Sequence, residues 1–112
     1  MLQSRDMAST LRTVFGLALG LTALFGCEPA LPHAAAPDAA RGASLYPNIT
    51  VADLEHGREV YVARCSGCHS LHPPRTRPAK TWPAEVERMS TRAKLAEDEK
   101  QAIERYLVVM AE

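Results

Sequence analysis

The sequence predicts a small all-α domain, about three helices around one compact site. Three observations point there. No alternating apolar–polar pattern of a half-buried strand occurs after Asn48. Apolar residues recur instead at helical spacing in three separate stretches. Two of those stretches open on helix-start signals, Thr50 followed by Asp53 and the acidic run Glu97, Asp98, Glu99. The chain has 112 residues, enough for one small domain at most. Lys plus Arg and Asp plus Glu number 13 each, so the net charge gives no sign of a nucleic-acid partner.

The apolar run from Val14 to Phe25, "VFGLALGLTALF", follows Arg5 and Arg12. A membrane span needs about 20 residues, and this run falls short of that. Its length and basic flank suit the apolar region of an export signal, with Met1 or Met7 as the start. It ends in "LFGC", Leu24 to Cys27, which resembles the lipobox of bacterial lipoproteins. That resemblance implies a signal peptide over residues 1–26 and lipidation of Cys27 as the first mature residue; an ordinary export signal with a free Cys27 is the alternative. Residues 27–48 are rich in Ala and Pro without apolar periodicity, and read as a semi-extended tether in which His33 is a solvated linker residue. The folded domain is then 49–112. A domain so short struggles to bury enough apolar surface unaided and usually needs a staple.

The first helix of that domain starts at the Thr50–Asp53 capping pattern and continues through Leu54, Gly57, Tyr61 and Arg64 into Cys65. A glycine inside a helix costs about 1 kcal/mol relative to alanine, and close packing of another backbone against Gly57 is the simplest compensation. "SLHPPRTRPAK", Ser70 to Lys80, holds three prolines and reads as an irregular loop. A short helix follows from Trp82, where Pro83 suits a first turn, and Trp82, Val86, Met89 and Ala93 share one face. The last helix covers about Ala96 to Met110, with Ala102, Ile103, Tyr106, Leu107 and Met110 as its buried stripe.

"CSGCH", residues 65–69, carries the chemistry. A thioredoxin-like dithiol would open a helix after a strand, whereas this motif closes a helix and no strand precedes it. A zinc site would need two more ligands at workable spacing, and no second Cys or His pair follows. As a haem site the motif is self-sufficient. Cys65 and Cys68 can form thioethers to one haem, and His69 can serve as the proximal iron ligand. One covalent haem c would also supply the apolar mass that the short domain lacks.

Over roughly residues 50–110 the chain resembles the cytochrome c family, with Gly57, Tyr61, Cys65, Cys68 and His69 matching its "G-x-x-x-Y-x-x-x-C-x-x-C-H" helix. The resemblance implies a small mono-haem, class I-like fold in which an aromatic of the last helix, here Tyr106, packs across the first helix near Gly57. It also agrees with the export signal, since haem attachment of this kind takes place outside the cytoplasmic membrane. The candidates for a sixth iron ligand are His33, His56, His72, Met89 and Met110. His72 follows His69 by three residues and cannot readily reach the opposite face of the porphyrin. His56 reads as a surface residue and Met110 as core packing. Met89, 20 residues after His69, lies where the family places its methionine, and "W-P-x-x-V-x-R-M", Trp82 to Met89, resembles small bacterial cytochrome subunits. Core packing is the alternative for Met89. In the family a proline carbonyl orients the proximal histidine; Pro73, Pro74 and Pro78 are the candidates. Trp82 either packs against the haem or donates to a propionate.

Arg75, Arg77, Lys80, Arg88, Arg92 and Lys94 outnumber Glu85 and Glu87 between the motif and the last helix, as a basic rim for an acidic redox partner or as an ordinary solvated face. The expected function is single-electron transfer by an exported, lipid-anchored carrier on the periplasmic side of a bacterial membrane. It is an electron carrier rather than an enzyme, with redox proteins as partners and neither nucleic acid nor a small-molecule substrate. The alternatives are the haem subunit of a periplasmic dehydrogenase and a haem-based sensor or gas-binding module.

Overall fold

Thr50 starts the longest helix in the manner its sequence predicts. Its hydroxyl accepts from the Asp53 amide at 3.1 Å, and the Asp53 carboxylate accepts from the Thr50 amide at 2.8 Å. The computed structural model describes residues 31–112. They form α1 (Ala36–Gly42), α2 (Val51–Cys65), α3 (Trp82–Ala93) and α4 (Glu97–Met110), with single 3₁₀ turns at Pro74–Thr76 and Ala79–Thr81 and no strand among the described residues. The signal peptide expected over 1–26 and the lipidation expected at Cys27 fall outside the described residues. No helix within them is long and apolar enough to cross a membrane.

The most extensive helix contact is between α2 and α4. Gly57 makes it possible. A Cβ there would overlap the Ala102 carbonyl oxygen and come within 2.8 Å of Tyr106 Cβ. The glycine therefore compensates its helix cost by letting two backbones approach, and Tyr106 packs on α2 at that point, as the family resemblance implied. Leu54, Gly57 and Tyr61 are buried on α2. On α4 the expected stripe is buried, but so are Val108 and Val109, which widen it at its two edges.

What covers that wider face corrects the reading of residues 27–48. The described part, 31–48, is not a free tether. Leu31 is 6% exposed and belongs to the main core, and α1 packs Gly42 against Val109. The main chain of the segment is held as well. Arg58 Nε donates to the Leu31 carbonyl at 3.2 Å, and the Tyr106 hydroxyl donates to the Pro32 carbonyl at 2.9 Å. The Ala34 amide donates to Glu55 Oε1 at 2.5 Å, and His33 Nδ1 lies 2.9 Å from Glu55 Oε2. His33 is thus a partner of Glu55 rather than a plain linker residue. The expectation of three helices becomes four. The physical reason is that α4 presents apolar residues around more of its circumference than α2 and α3 can cover.

Two outcomes follow from this packing. Gly57→Ala should destabilise the domain by about 1–3 kcal/mol, read as a lower urea midpoint at unchanged slope. Glu55 gives a pH dependence. The Ala34 amide, and after it His33, hold its carboxyl below the usual range. A carboxyl depressed in the folded state contributes stability that is present above its unfolded value of about 4.3 and lost as pH falls through the lower folded value. The hydrogen-exchange protection of the Ala34 amide should therefore fall in that acid window while the Ile103 amide stays protected.

Candidate functional site

The C-terminal end of α2, the loop after it, α3 and α4 enclose a partly open cleft of about 180 Å³. Its apolar walls come from Tyr61, Trp82, Val86, Leu95, Ile103 and Leu107. Cys65, Cys68, His69 and Met89 all line it. The four residues that the sequence assigns to cofactor and metal binding are therefore brought together from two elements far apart in the chain. Trp82, Val86, Met89 and Ala93, the face expected of α3, all line the cleft.

Cys65 is the last residue of α2 and half-buried, and burial pushes its thiol up; Cys68, beyond the helix end, is exposed. Neither is in a disulfide. His69 Nδ1 lies 2.8 Å from the Ser70 carbonyl oxygen. A carbonyl only accepts, so Nδ1 carries a proton, and Nε2 is the ring nitrogen left for a metal. A backbone carbonyl thus orients the ring, but it belongs to Ser70 and not to a proline. The candidate prolines serve elsewhere. The Pro74 carbonyl accepts from Trp82 Nε1 at 2.9 Å, while those of Pro73 and Pro78 accept from Thr76 and Thr81. The polar end of Trp82 is therefore engaged by the chain itself, and its ring forms a wall.

Of the other candidates for a sixth ligand, only His72 lines the same cleft. Its ring centroid is 5.6 Å from that of His69. Its main chain is fixed by Tyr61, whose hydroxyl donates to the His72 carbonyl at 3.0 Å and accepts from the His72 amide at 3.1 Å. Met110 is buried in the core, His56 is exposed, and His33 is bound to Glu55.

Arg64, Arg77, Arg88 and Arg92 line the cleft with Glu85 as the one carboxylate. The Arg88 hydrogen bond, with smaller help from Arg77, holds the Glu85 carboxyl below its ordinary range. Arg77 also lies 5.8 Å from the Trp82 ring centroid. Arg75 instead reaches the Glu112 backbone carbonyl. Sequence reasoning missed Arg64 at the cleft. It stands beside Cys65, and its guanidinium donates to the carbonyls of Ala93 and Lys94. Its place one residue before the motif was the available signal.

The donor set fits a covalently held haem. Two reduced thiols, an imidazole with a free Nε2 and a thioether face one apolar-walled cleft. Residues 61–112 match the model of the family described as dihaem cytochrome c. This part of the chain is thus similar to c-type cytochromes, which supports covalent haem and a haem-based electron-transfer role. The family is named for two haems, whereas the sequence holds one Cys-x-x-Cys-His motif. Comparison with characterised proteins and with solved structures finds no match.

Trp82→Phe keeps the cleft wall but removes the donor to Pro74, a carbonyl on a buried residue. It should cost about 1–3 kcal/mol of stability in urea unfolding. A change below about 0.5 kcal/mol would mean that water replaces the indole N–H.

Proposed function

We propose that the chain is an exported, mono-haem c-type cytochrome, lipid-anchored at Cys27, that carries single electrons between redox proteins on the periplasmic side of a bacterial membrane. The observation that carries this reading is the convergence of Cys65, Cys68, His69 and Met89 on one apolar-walled cleft. One haem is proposed because the sequence has one attachment motif.

In this reading Cys65 and Cys68 would hold the haem through thioethers, His69 would ligate iron through Nε2, and Met89 would be the sixth ligand. The bound haem supplies the one-electron chemistry of its iron, and methionine–histidine ligation places the potential above that of a bis-histidine site. Everything else is the work of the chain. Ser70 fixes the tautomer and aim of His69 through its carbonyl. Tyr61 holds the main chain at His72, so the loop leaving the motif keeps its course. Trp82, Val86, Ile103 and Leu107 give the cleft an apolar wall for the haem ring to pack against. Arg64, Arg77, Arg88 and Arg92 put positive charge around it, which favours an acidic partner surface.

Met89→Ala tests the assignment. The oxidised variant should lose the methionine–iron charge-transfer band, and the reduced variant should bind carbon monoxide readily. An unchanged spectrum would remove Met89 as the ligand.

A further inference from the structure

Residues 31–35 are fastened to the domain at four successive points. Leu31 is inserted in the core with its carbonyl held by Arg58, the Pro32 carbonyl is held by Tyr106, and His33 and the Ala34 amide are both held by Glu55. The residues that clamp this segment lie on α2 and α4, and none of Glu55, Arg58 and Tyr106 lines the cleft. Cys27 precedes Leu31 by four residues.

The length of chain left between them is decisive. Four residue steps span at most about 14 Å, whereas the whole of 27–48, if free, could reach about 75 Å. Along α2 the clamp residue Arg58 precedes Cys65 by seven residues, a rise of about 10 Å. With the width of the clamp added, the cleft lies within on the order of 30 Å of Cys27.

We infer that the clamp on residues 31–35 turns the anchor into a short leash, so that the cleft can exchange electrons only with a partner embedded in or bound to the same membrane. This rests on the proposed lipidation of Cys27. The clamp sets both the height of the cleft above the bilayer and the end of α2 that is tied down. A partner whose electron-exchanging site stands well beyond about 30 Å from the bilayer surface is out of reach. A carrier on a free tether would serve both kinds of partner.

The experiment uses the full-length, haem-loaded, lipidated protein in phosphatidylethanolamine–phosphatidylglycerol vesicles that carry a headgroup fluorophore. The haem quenches that fluorophore by energy transfer, and the quenching falls steeply with distance. The natural chain is compared with one carrying a 20-residue Gly/Ser insertion between Ala30 and Leu31, and with Glu55→Gln/Arg58→Ala. Each variant is first shown to keep the haem spectrum of the natural chain. The natural chain should quench at least twofold more than the insertion variant, and the clamp variant should shift towards the insertion variant. Equal quenching by natural chain and insertion variant, with both co-floating with the vesicles, overturns the leash and leaves the anchor standing. A clamp variant that quenches like the natural chain overturns the role of Glu55 and Arg58. A natural chain that does not co-float overturns the lipid anchor itself, and the leash with it.

Discussion

The rest of the molecule depends on the place where α2 meets α4. Gly57 has no side chain, so the Ala102 carbonyl and Tyr106 can occupy the space that a methyl group would need. That approach brings α4 close enough for Ile103 and Leu107 to wall the cleft beside Tyr61. It also aims Tyr106 across α2 so that its hydroxyl reaches the Pro32 carbonyl on the far side. One aromatic side chain thus joins the core under the cleft to the clamp on the N-terminal segment. Its burial pushes the phenol above its ordinary range, so it stays a neutral donor at any physiological pH.

The cleft is made by division of labour among elements. The end of α2 and the residues after it contribute the thiols and the imidazole, α3 contributes the thioether and two of the four guanidinium groups, and α4 contributes apolar wall. Charge stands at the cleft without being buried unpaired. No buried polar or charged side chain occurs among the described residues, and none has an unsatisfied polar atom. A low-polarity wall with cations at its margin disfavours solvent inside and favours anionic surfaces outside. Both properties suit a site that holds a haem for electron transfer.

Much of this was legible in the sequence because it is local. The Thr50–Asp53 cap, the helical face of α3 and the stripe on α4 follow from spacing within one turn or a few. A glycine in mid-helix signalled a close neighbour, but that the neighbour is Tyr106 came from the family resemblance and not from spacing. The docked segment was not foreseen, because Ala- and Pro-rich chain carries no periodicity whether or not something packs on it. A signal did exist in α4. "YLVVM", Tyr106 to Met110, is an unbroken apolar run, wider than one helical stripe, and it required a cover on two sides. The carbonyl that orients His69 was illegible for another reason. The prolines were committed to Thr76, Trp82 and Thr81, and only the folded loop shows that.

Arg64 is one side chain with contacts on three helices. It rises from α2 beside Cys65, donates to the last carbonyls of α3 and lies 3.5 Å from Glu99 at the start of α4. The C-terminal carbonyls of α3 are groups that a helix cannot satisfy internally, so this arginine is also a cap. The consequence is mechanical. If α3 or α4 swings away from the thiol-bearing end of α2 it breaks a contact to the same guanidinium, so the positions of the three walls are coupled through one side chain.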